Sequence, residues 1–418
     1  MGTGADRNSP CLCGSGKKQK KCCRDNIEFE KKLSSEEPDP GDLKEVLNFF
    51  RDLERDSQIL KRIGIHQRYQ QVIARTREGY LISLDKGIFK ILSNENFSFY
   101  EVIGVIAMET LGSEWIQEQY GKEIKDRSAI YKIISILGAT GQFKKIIAYE
   151  GKEIESYVPE NGFSKNFLTL AFDIFCLRHQ GILPQTLIER LKHFDQYQGA
   201  RYELTVAAIF CRLGYGIEWL EDRAAEQKHP EFIARKEGRE IYVEAKSRGI
   251  SGVHNQPGVF DANKALKSKG YGTLLHNALE KEKSIPKGRP YLIFIDINAL
   301  NTNDPNDDSI PKWLKQARNS ITTQHLKKYL GKEAPFTSVI FTSYSYHYQG
   351  LNYPDKSVSF AYSNDLSSRP YSSPAEKTEM LDALKYYGFI PDYHIPGPMT
   401  ILQKSSEFPR INNINQIT

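Results

Sequence analysis

The feature of this sequence that most restricts its fold is an alternating stretch over residues 229–248, HPEFIARKEGREIYVEAKSR. Two stretches contain β-branched and aromatic residues, which are typical of strands: Phe232–Arg235 and Glu240–Ser247. In the second stretch apolar residues alternate with other residues. Lys236–Arg239 lies between them and places Gly238 where a tight turn favours a positive φ. The pattern predicts a β-hairpin.

The second strand of this hairpin carries its charged residues on one face. With a period of two, Glu244 and Lys246 point to one side and the apolar residues to the other. Glu231 stands at the start of the first strand, so two carboxylates and one ammonium group are expected near each other. Carboxylates hold divalent cations against a phosphate, and a cation stabilises the charge that develops there. The alternating apolar residues are Ile241, Val243 and Ala245.

An amphipathic helix is predicted before the hairpin, over Gly199–Phe210, because its apolar residues recur at helical spacing. Glu203 lies near the N-terminal end of this helix. Gly214 is positioned to end the helix, and Ile217–Leu220 begins a strand.

Further helices and strands are predicted after Lys246. Gly270 and Gly272 are expected to interrupt the first of these helices. Residues 290–297 form an almost continuous apolar run, which indicates a strand buried on both faces. The predicted elements are a helix over Asp261–Lys283, strands over 290–297 and Phe336–Phe341, and a helix over Ala375–Tyr387 ended by Gly388.

Pro230, Glu231, Glu244 and Lys246, set in this order of elements, resemble the PD-(D/E)XK nuclease superfamily over about residues 197–345. That superfamily has the restriction-endonuclease-like fold. The resemblance implies an α/β fold with an α/β/α core, in which helices flank a mixed central sheet. It also implies a metal-dependent endonuclease, a hydrolase of nucleic-acid phosphodiester bonds, with DNA favoured over RNA.

The resemblance assigns roles to four residues. Glu231 and Glu244 are implied as ligands of Mg²⁺ or Mn²⁺, with Glu203 completing or orienting that shell. Lys246 is implied to position the attacking water, to deprotonate it or to stabilise charge on the phosphate. The implied catalytic residues are Glu203, Glu231, Glu244 and Lys246.

Two alternatives remain beside this interpretation. The superfamily usually has Asp where this chain has Glu231, which favours a catalytically inactive nuclease fold that binds nucleic acid or serves as a scaffold. Asp222 is a possible substitute ligand, although a short hairpin would not easily bridge its distance to Glu244.

A second motif lies at the N-terminus, where four of the six cysteines fall within thirteen residues. Four thiolates at such spacing are typical of a tetrahedral structural zinc site. Two disulfides would need an oxidising compartment, and the adjacent pair of cysteines does not fit ferredoxin spacings. The expected zinc ligands are Cys11, Cys13, Cys22 and Cys23.

The cysteine motif closely resembles the SEC-C motif, best known from the C-terminal tail of the preprotein translocase ATPase. The resemblance implies a small zinc-bound docking module for a protein partner, and nearby lysines leave nucleic acid open as a second partner. An adaptor that works through this module is therefore a further alternative function. The lysines are Lys17, Lys18, Lys20 and Lys21.

Composition allows two or three domains in 418 residues, and the 39% hydrophobic share is ample for packed cores. We expect a zinc knuckle, a linker, a mainly helical domain of unknown role, a nuclease-like domain and a C-terminal tail. Their predicted bounds are 1–26, 27–41, 42–194, 195–400 and 401–418.

The helical domain is expected to contain several helices and one β-hairpin. Residues 79–92 are expected to be either a hairpin or a short helix. Cys176 and Cys211 lie in apolar helical surroundings and are predicted to be buried small hydrophobes. The predicted helices span 42–60, 66–77, 99–120, 127–137, 164–178 and 184–194, and the hairpin spans 143–158.

Charge and hydropathy limit the class of protein further. Lys and Arg exceed Asp and Glu by 57 to 52, a net charge of +5 that permits nucleic-acid binding without requiring it. No signal peptide and no membrane-spanning stretch is recognisable, so a cytoplasmic protein without membrane association is expected. Basic residues that follow the motif could neutralise phosphates or form a solvated face: Arg248, Lys264, Lys267, Lys269, Lys281, Lys283, Lys287 and Arg289.

Overall fold

The structure is a computed structural model of the chain. The structure describes most of the chain between residues 73 and 390. The described residues are 73–75, 79–85, 87–92, 99–140, 145–149, 152–156, 162–220, 228–250, 261, 263, 269–298, 312–344, 357–385, 387, 388 and 390. The four N-terminal cysteines and the predicted helix over 42–60 lie outside them.

A mixed six-stranded sheet forms the centre of the molecule, in the order β11-β10-β9-β8-β7-β6. Strands β6, β7 and β8 form an antiparallel meander. Strands β8, β9 and β10 are parallel, and β11 closes the sheet as an antiparallel edge. The strands are β6 Gly216–Trp219, β7 Phe232–Lys236, β8 Arg239–Ser247, β9 Tyr291–Asp296, β10 Ser338–Tyr344 and β11 Ser357–Ser363.

Helices cover both faces of this sheet. On one face α6 packs on β8, α4 packs on α6, and α1 packs on α4. On the other face α7 and α8 bury their apolar sides against the central strands. The helices are α1 Phe99–Leu111, α2 Ser113–Gly121, α3 Ala129–Thr140, α4 Gly162–His179, α5 Gln185–Lys192, α6 Tyr197–Arg212, α7 Lys269–Glu280, α8 Lys312–Ser320 and α9 Pro374–Lys385.

Side-chain alternation along the strands divides the core into two layers. Val243 and Phe294 belong to the cluster that includes α4 and α6. Tyr242 and Ile293, one residue earlier in each strand, belong to the cluster under α7 and α8. The predicted α/β fold, with helices on both sides of a mixed sheet, is therefore confirmed.

The predicted hairpin is present, and its turn has the expected geometry. Glu237 and Gly238 have φ values of 52° and 76°. Two positive φ angles are the signature of a two-residue type I′ turn, which matches the twist of the flanking strands. Gly238 adopts this conformation without a steric cost, whereas Glu237 accepts some strain.

The N-terminal half contains more β-structure than the sequence predicts. Ile73–Arg75, Gly79–Leu84 and Gly87–Leu92 form a three-stranded antiparallel sheet, β1 to β3. The hairpin alternative for residues 79–92 is therefore correct. The helix predicted over 66–77 is wrong for its described part, residues 73–75, because strand pairing overrides the weak local helical pattern.

Other predicted boundaries shift for local reasons. The helix predicted over 99–120 is two helices, separated at Gly112, whose φ is 87°. The predicted second hairpin exists as β4, Lys145–Tyr149, and β5, Lys152–Ser156. Gly270 and Gly272 do not interrupt α7 but lie within it.

The two glycines in α7 provide room for neighbouring side chains. A Cβ atom at Gly270 would lie 2.6 Å from Nε of Arg248, and one at Gly272 would lie 2.4 Å from Cε1 of His325. Both glycines thus allow α7 to pack closely, at the modest cost of a helical glycine.

Strand β11 and helix α8 were not predicted.

A buried network of charged groups fixes α6 to α4 and to the chain after α9. Asp173 of α4 is fully buried and accepts hydrogen bonds from Arg201, Arg212 and Tyr387 at 2.8, 2.6 and 2.5 Å. Arg212 also donates to the backbone carbonyl of Tyr387. Because breaking a buried ion pair leaves an uncompensated charge, this network holds α6 firmly in place.

The apolar core continues across the expected domain boundary near residue 195, since residues from Tyr80 to Ile390 belong to one cluster. The domain bounds remain a prediction. Cys176 and Cys211 are buried thiols, as predicted. None of the described helices is long and apolar enough to cross a membrane.

Candidate active site

Two carboxylates meet where β7 begins and β8 ends. Phe232 pairs with Val243, and the backbone N–H of Glu231 donates to the carbonyl of Val243 at 3.0 Å. This register brings Glu231 beside Glu244 on the sheet face that α7 covers. Like charges on neighbouring strands repel each other, so the pair requires nearby cations.

Two ammonium groups supply that charge. Nζ of Lys246 lies 2.6 Å from Oε1 of Glu231 and 2.7 Å from Oε1 of Glu244. Nζ of Lys281 lies 2.8 Å and 3.0 Å from the two carboxylate oxygens of Glu244 and 3.3 Å from Oε1 of Glu231. The four side chains therefore form one cluster with two negative and two positive charges.

Burial gives the two carboxylates different acidities. Burial and the repulsion of Glu231 raise the pKa of Glu244 to about 6, against the attraction of the two lysines. Burial acts in the same direction on Glu231, but Lys246 and Lys281 together hold its pKa below the ordinary value. Glu231 is thus the more acidic of the pair.

Lys246 is held in its charged form by the same contacts. Burial alone would lower its pKa, but the attraction of Glu244 and Glu231 raises that pKa above the ordinary value. Its side chain is 24% exposed, that of Lys281 is 18% exposed, and that of Glu244 is 0% exposed. Solvent therefore reaches the cluster from the side of the lysines.

Glu203 lies near this cluster but has a different partner. Its two carboxylate oxygens accept hydrogen bonds from Nη1 and Nη2 of Arg190 at 2.6 and 2.7 Å, a bidentate pair between α5 and α6. Burial raises the pKa of Glu203 despite Arg190, and Glu231 and Lys246 are close enough to affect that pKa. Glu203 therefore lies beside the cluster and forms its ion pair with Arg190.

Contacts with β9 and with Arg369 hold the segment that carries Lys281. Residues Lys281–Ser284 form a 3₁₀ turn directly after α7. The hydroxyl of Tyr291 donates to the carbonyl of Ala278 at 2.7 Å and ties the last turn of α7 to β9. Arg369, which is 3% exposed, donates to the Glu282 carboxylate at 2.5 Å and to the carbonyl of Pro286 at 2.7 Å.

The chain that leaves β8 is fixed by two amide side chains. Gln198 of α6 accepts from the N–H of Ile250 at 3.0 Å and donates to its carbonyl at 3.1 Å. Asn298 donates to the carbonyl of Arg248 at 2.6 Å. These bonds hold the end of β8, and with it Lys246, in one position.

The donor atoms of the cluster suit a hard divalent cation. Among the residues that the structure describes, no donor is aligned for a hydrogen bond with the buried Oε1 of Glu244, although both ammonium groups are within ion-pair distance. Carboxylate oxygens are the ligands that Mg²⁺ and Mn²⁺ prefer. Within the same part of the chain, no three acidic, histidine or cysteine side chains are close enough to hold one ion together. Glu231 and Glu244 are the pair that fits, and Mg²⁺ commonly binds through one or two carboxylates.

The structure thus brings together three of the four predicted site residues, Glu231, Glu244 and Lys246. The fourth, Glu203, lies beside the cluster and is paired with Arg190. Two residues of the site were not singled out from the sequence: Arg190 and Lys281. Lys281 was one of many basic residues after β8, and only the packing of α7 distinguishes it from the others. Asp222 lies outside the described residues.

Comparison with known proteins adds one result. Residues 7–25 match the family model of the SEC-C motif, and this match contains all four cysteines expected to bind zinc. No curated protein and no solved structure matches the chain.

Proposed function

We propose that the protein is a metal-dependent nuclease that hydrolyses phosphodiester bonds of nucleic acid, DNA in preference to RNA. The observation that carries the proposal is the cluster of Glu231, Glu244, Lys246 and Lys281 at the junction of β7, β8 and α7. The order α6, β6 to β8, α7, β9 also agrees with the core order of the PD-(D/E)XK superfamily that the motif resembles.

The proposed chemistry assigns a task to each carboxylate. Glu231 and Glu244 would hold Mg²⁺ or Mn²⁺, joined by the backbone carbonyl of Ala245. A bound ion of this kind polarises the phosphate and lowers the pKa of water that it coordinates. Glu203 keeps Arg190 in place at the edge of the site and contributes negative charge near Glu231.

Lys246 is assigned to charge stabilisation. In the metal-free cluster Glu244 and Glu231 raise its pKa, and even the ordinary pKa of a lysine keeps the side chain protonated at neutral pH, so it can donate hydrogen bonds to a phosphate oxygen. A protonated amine cannot abstract a proton, so this role is favoured over that of general base. Preorganised donors of this type contribute about 100-fold or more to a rate.

The distribution of charge supports a polyanionic substrate. Residues 312–344 contain six Lys or Arg residues and one acidic residue, Glu333, a net charge of +5 that equals the net charge of the whole chain. Apolar side chains of α8 face the sheet, and the side chains of Lys315 and Arg318 are exposed. The exposed cations are Lys315, Arg318, Lys327, Lys328 and Lys332.

This basic segment lies on the same face of the sheet as the cluster. Gly272 of α7 packs directly against His325 in the segment, and Lys281 is nine residues further along the chain, at the start of the 3₁₀ turn after α7. At 1.5 Å per residue that separation is about 14 Å. A nucleic-acid strand could therefore contact both at once.

The proposal is tested by incubating the full chain with linear, circular and single-stranded DNA and with RNA, in Mg²⁺, Mn²⁺ or EDTA. We expect cleavage only with metal, reduced about 100-fold or more by Glu244→Gln or Lys246→Gln. Glu240→Gln is a matched control, because Glu240 lies on the same face of β8 but pairs with Arg235 and Arg289 instead. Cleavage that survives both site substitutions, or a complete lack of cleavage by the parent, contradicts the proposal.

We also propose that Cys11, Cys13, Cys22 and Cys23 bind one structural Zn²⁺. The match of residues 7–25 to the SEC-C motif supports this assignment. Four thiolates complete a closed tetrahedral shell, so the ion would stabilise a segment too short to form a core of its own.

The same match supports a second candidate function, that of an adaptor whose nuclease-like domain is inactive. Under this alternative the zinc module binds a protein partner. Cys22→Ser would then abolish recovery of that partner while Lys246→Gln leaves it unchanged. The nuclease assay above distinguishes the two functions, because an adaptor needs no cleavage.

A further inference from the structure

We propose that Lys281 is a built-in counter-cation of the active site, which leaves the carboxylates when a divalent cation binds and then contacts a substrate phosphate. The inference rests on the proposed function and extends it to a residue that the motif does not contain.

The first step of the argument is charge balance. Glu231 and Glu244 carry two negative charges, and Lys246 and Lys281 carry two positive charges. Each ammonium nitrogen lies within 3.3 Å of both carboxylates. The cluster is therefore neutral without metal, and neither carboxylate needs an external ion.

The second step is competition for the same oxygens. Lys281 contacts both oxygens of Glu244, at 2.8 and 3.0 Å, and these are the atoms that a metal would use. A divalent cation that binds them must displace an ammonium group or share its position, which repulsion between cations opposes. Lys246 extends from β8 itself, whereas Lys281 reaches the site from the 3₁₀ turn after α7.

The third step is the anchoring of Lys281. Arg369 is buried under the 3₁₀ turn and donates to the Glu282 carboxylate and to carbonyls of residues 282, 285, 286 and 289. This clamp fixes the backbone at Lys281 but leaves its long side chain partly exposed. The ammonium group can thus move while its origin stays beside the site.

Metal binding would change the net charge of the cluster that a substrate contacts. Once a divalent cation occupies the carboxylates, the cluster has a net charge of +2, and Lys281 no longer has to neutralise Glu244. A free ammonium group at this position would pair with a phosphate of the nucleic acid and stabilise charge in the transition state. Metal binding would in this way prepare the site for its substrate.

The test measures metal binding without nucleic acid. Titration calorimetry with Mn²⁺ on the full chain should show affinity about tenfold or more tighter in Lys281→Gln than in the parent, because a competing cation has been removed. Lys281→Arg keeps the charge and should resemble the parent. Lys283→Gln is the matched control, since Lys283 lies two residues away in the same turn with its side chain exposed. Unchanged or weaker Mn²⁺ binding by Lys281→Gln overturns the exchange.

A second measurement tests the contact with phosphate. At saturating Mn²⁺, Lys281→Gln should cleave DNA about 10- to 100-fold more slowly than Lys283→Gln, and Lys281→Arg should recover part of the rate. Equal rates in Lys281→Gln and the parent overturn the phosphate contact. If the parent binds Mn²⁺ and Lys281→Gln binds it more tightly, yet no nucleic acid is cleaved, the proposed nuclease function fails while the exchange stands. If the parent binds no Mn²⁺, both fail.

Discussion

Glu244 is a carboxylate without solvent exposure, and its surroundings make its own contribution to stability depend on pH. Its neighbours nearly compensate its charge, but burial and the closeness of Glu231 still disfavour the ionised form. Sites in which environment separates the pKa values of two carboxylates are common among enzymes, because each carboxylate can then serve a different task.

The raised pKa of Glu244 leads to a prediction about stability. The folded pKa of about 6 exceeds the ordinary value of 4.5, so the folded state binds more protons between those values. The free energy of unfolding contributed by Glu244 therefore falls as pH rises through these two values, by about 2 kcal/mol in total between about pH 3 and about pH 7.5. Urea unfolding in EDTA should show the parent losing this amount relative to Glu244→Gln over that range. A difference between the two proteins that stays constant or grows with pH would contradict the assignment.

Arg369 shows how an element far along the chain supports the site. It precedes α9, yet its guanidinium binds the turn that carries Lys281, about ninety residues earlier. The turn has polar backbone groups that face the interior, and Arg369 satisfies four of their carbonyls. A guanidinium can do this because its five donors are arranged in one plane.

Replacement of Arg369 should therefore be costly. Arg369→Ala leaves Glu282 and several carbonyls without their donor, and we expect a loss of about 3–5 kcal/mol in the free energy of unfolding. Arg369→Lys should recover only part of this loss. Lys122→Ala is the control, since its pair with Glu118 is exposed and should contribute less than about 1 kcal/mol. Equal losses in Arg369→Ala and Lys122→Ala, measured by urea unfolding, would show that the clamp has no energetic role.

Positive charge is concentrated in residues 312–344, away in the sequence from the hairpin that carries the motif. The net charge of +5 is modest for 418 residues, but residues 312–344 hold a surplus of that size by themselves. Binding of nucleic acid depends on such local accumulation more than on the total. The segment therefore has the character of a surface for backbone phosphates.

This interpretation predicts salt-dependent binding that is sensitive to charge reversal. Lys315→Glu with Lys328→Glu, in a Lys246→Gln background, should weaken binding of a labelled DNA duplex and reduce the salt slope by about one to two. Lys122→Glu with Lys125→Glu is the matched control, because these lysines already pair with Glu118 and Glu123. Fluorescence anisotropy across a range of salt concentrations measures both slopes. Identical slopes for the two double variants would rule out the basic segment as the binding surface.

The sequence alone determined the parts of this protein in which local patterns agree with the final structure. The period of two in β8 placed Glu244 and Lys246 on one face, and Gly238 correctly marked the turn. The helical spacing of α6 and the apolar run of β9 were recognised because burial of one face, or of both, leaves a clear pattern. The spacing of the four N-terminal cysteines likewise identified the SEC-C motif.

Tertiary structure alone decided what depends on distant contacts. Lys281 is one lysine among several until α7 packs on β9 and brings it to Glu244, and Glu203 pairs with Arg190 because α5 lies beside α6. Strand β1 formed where the sequence indicated a helix, since pairing with β2 supplies hydrogen bonds that local propensity does not foresee. The sequence therefore determined the motif through its periodicity, whereas the partners of each charge were decided by packing between segments far apart in the chain.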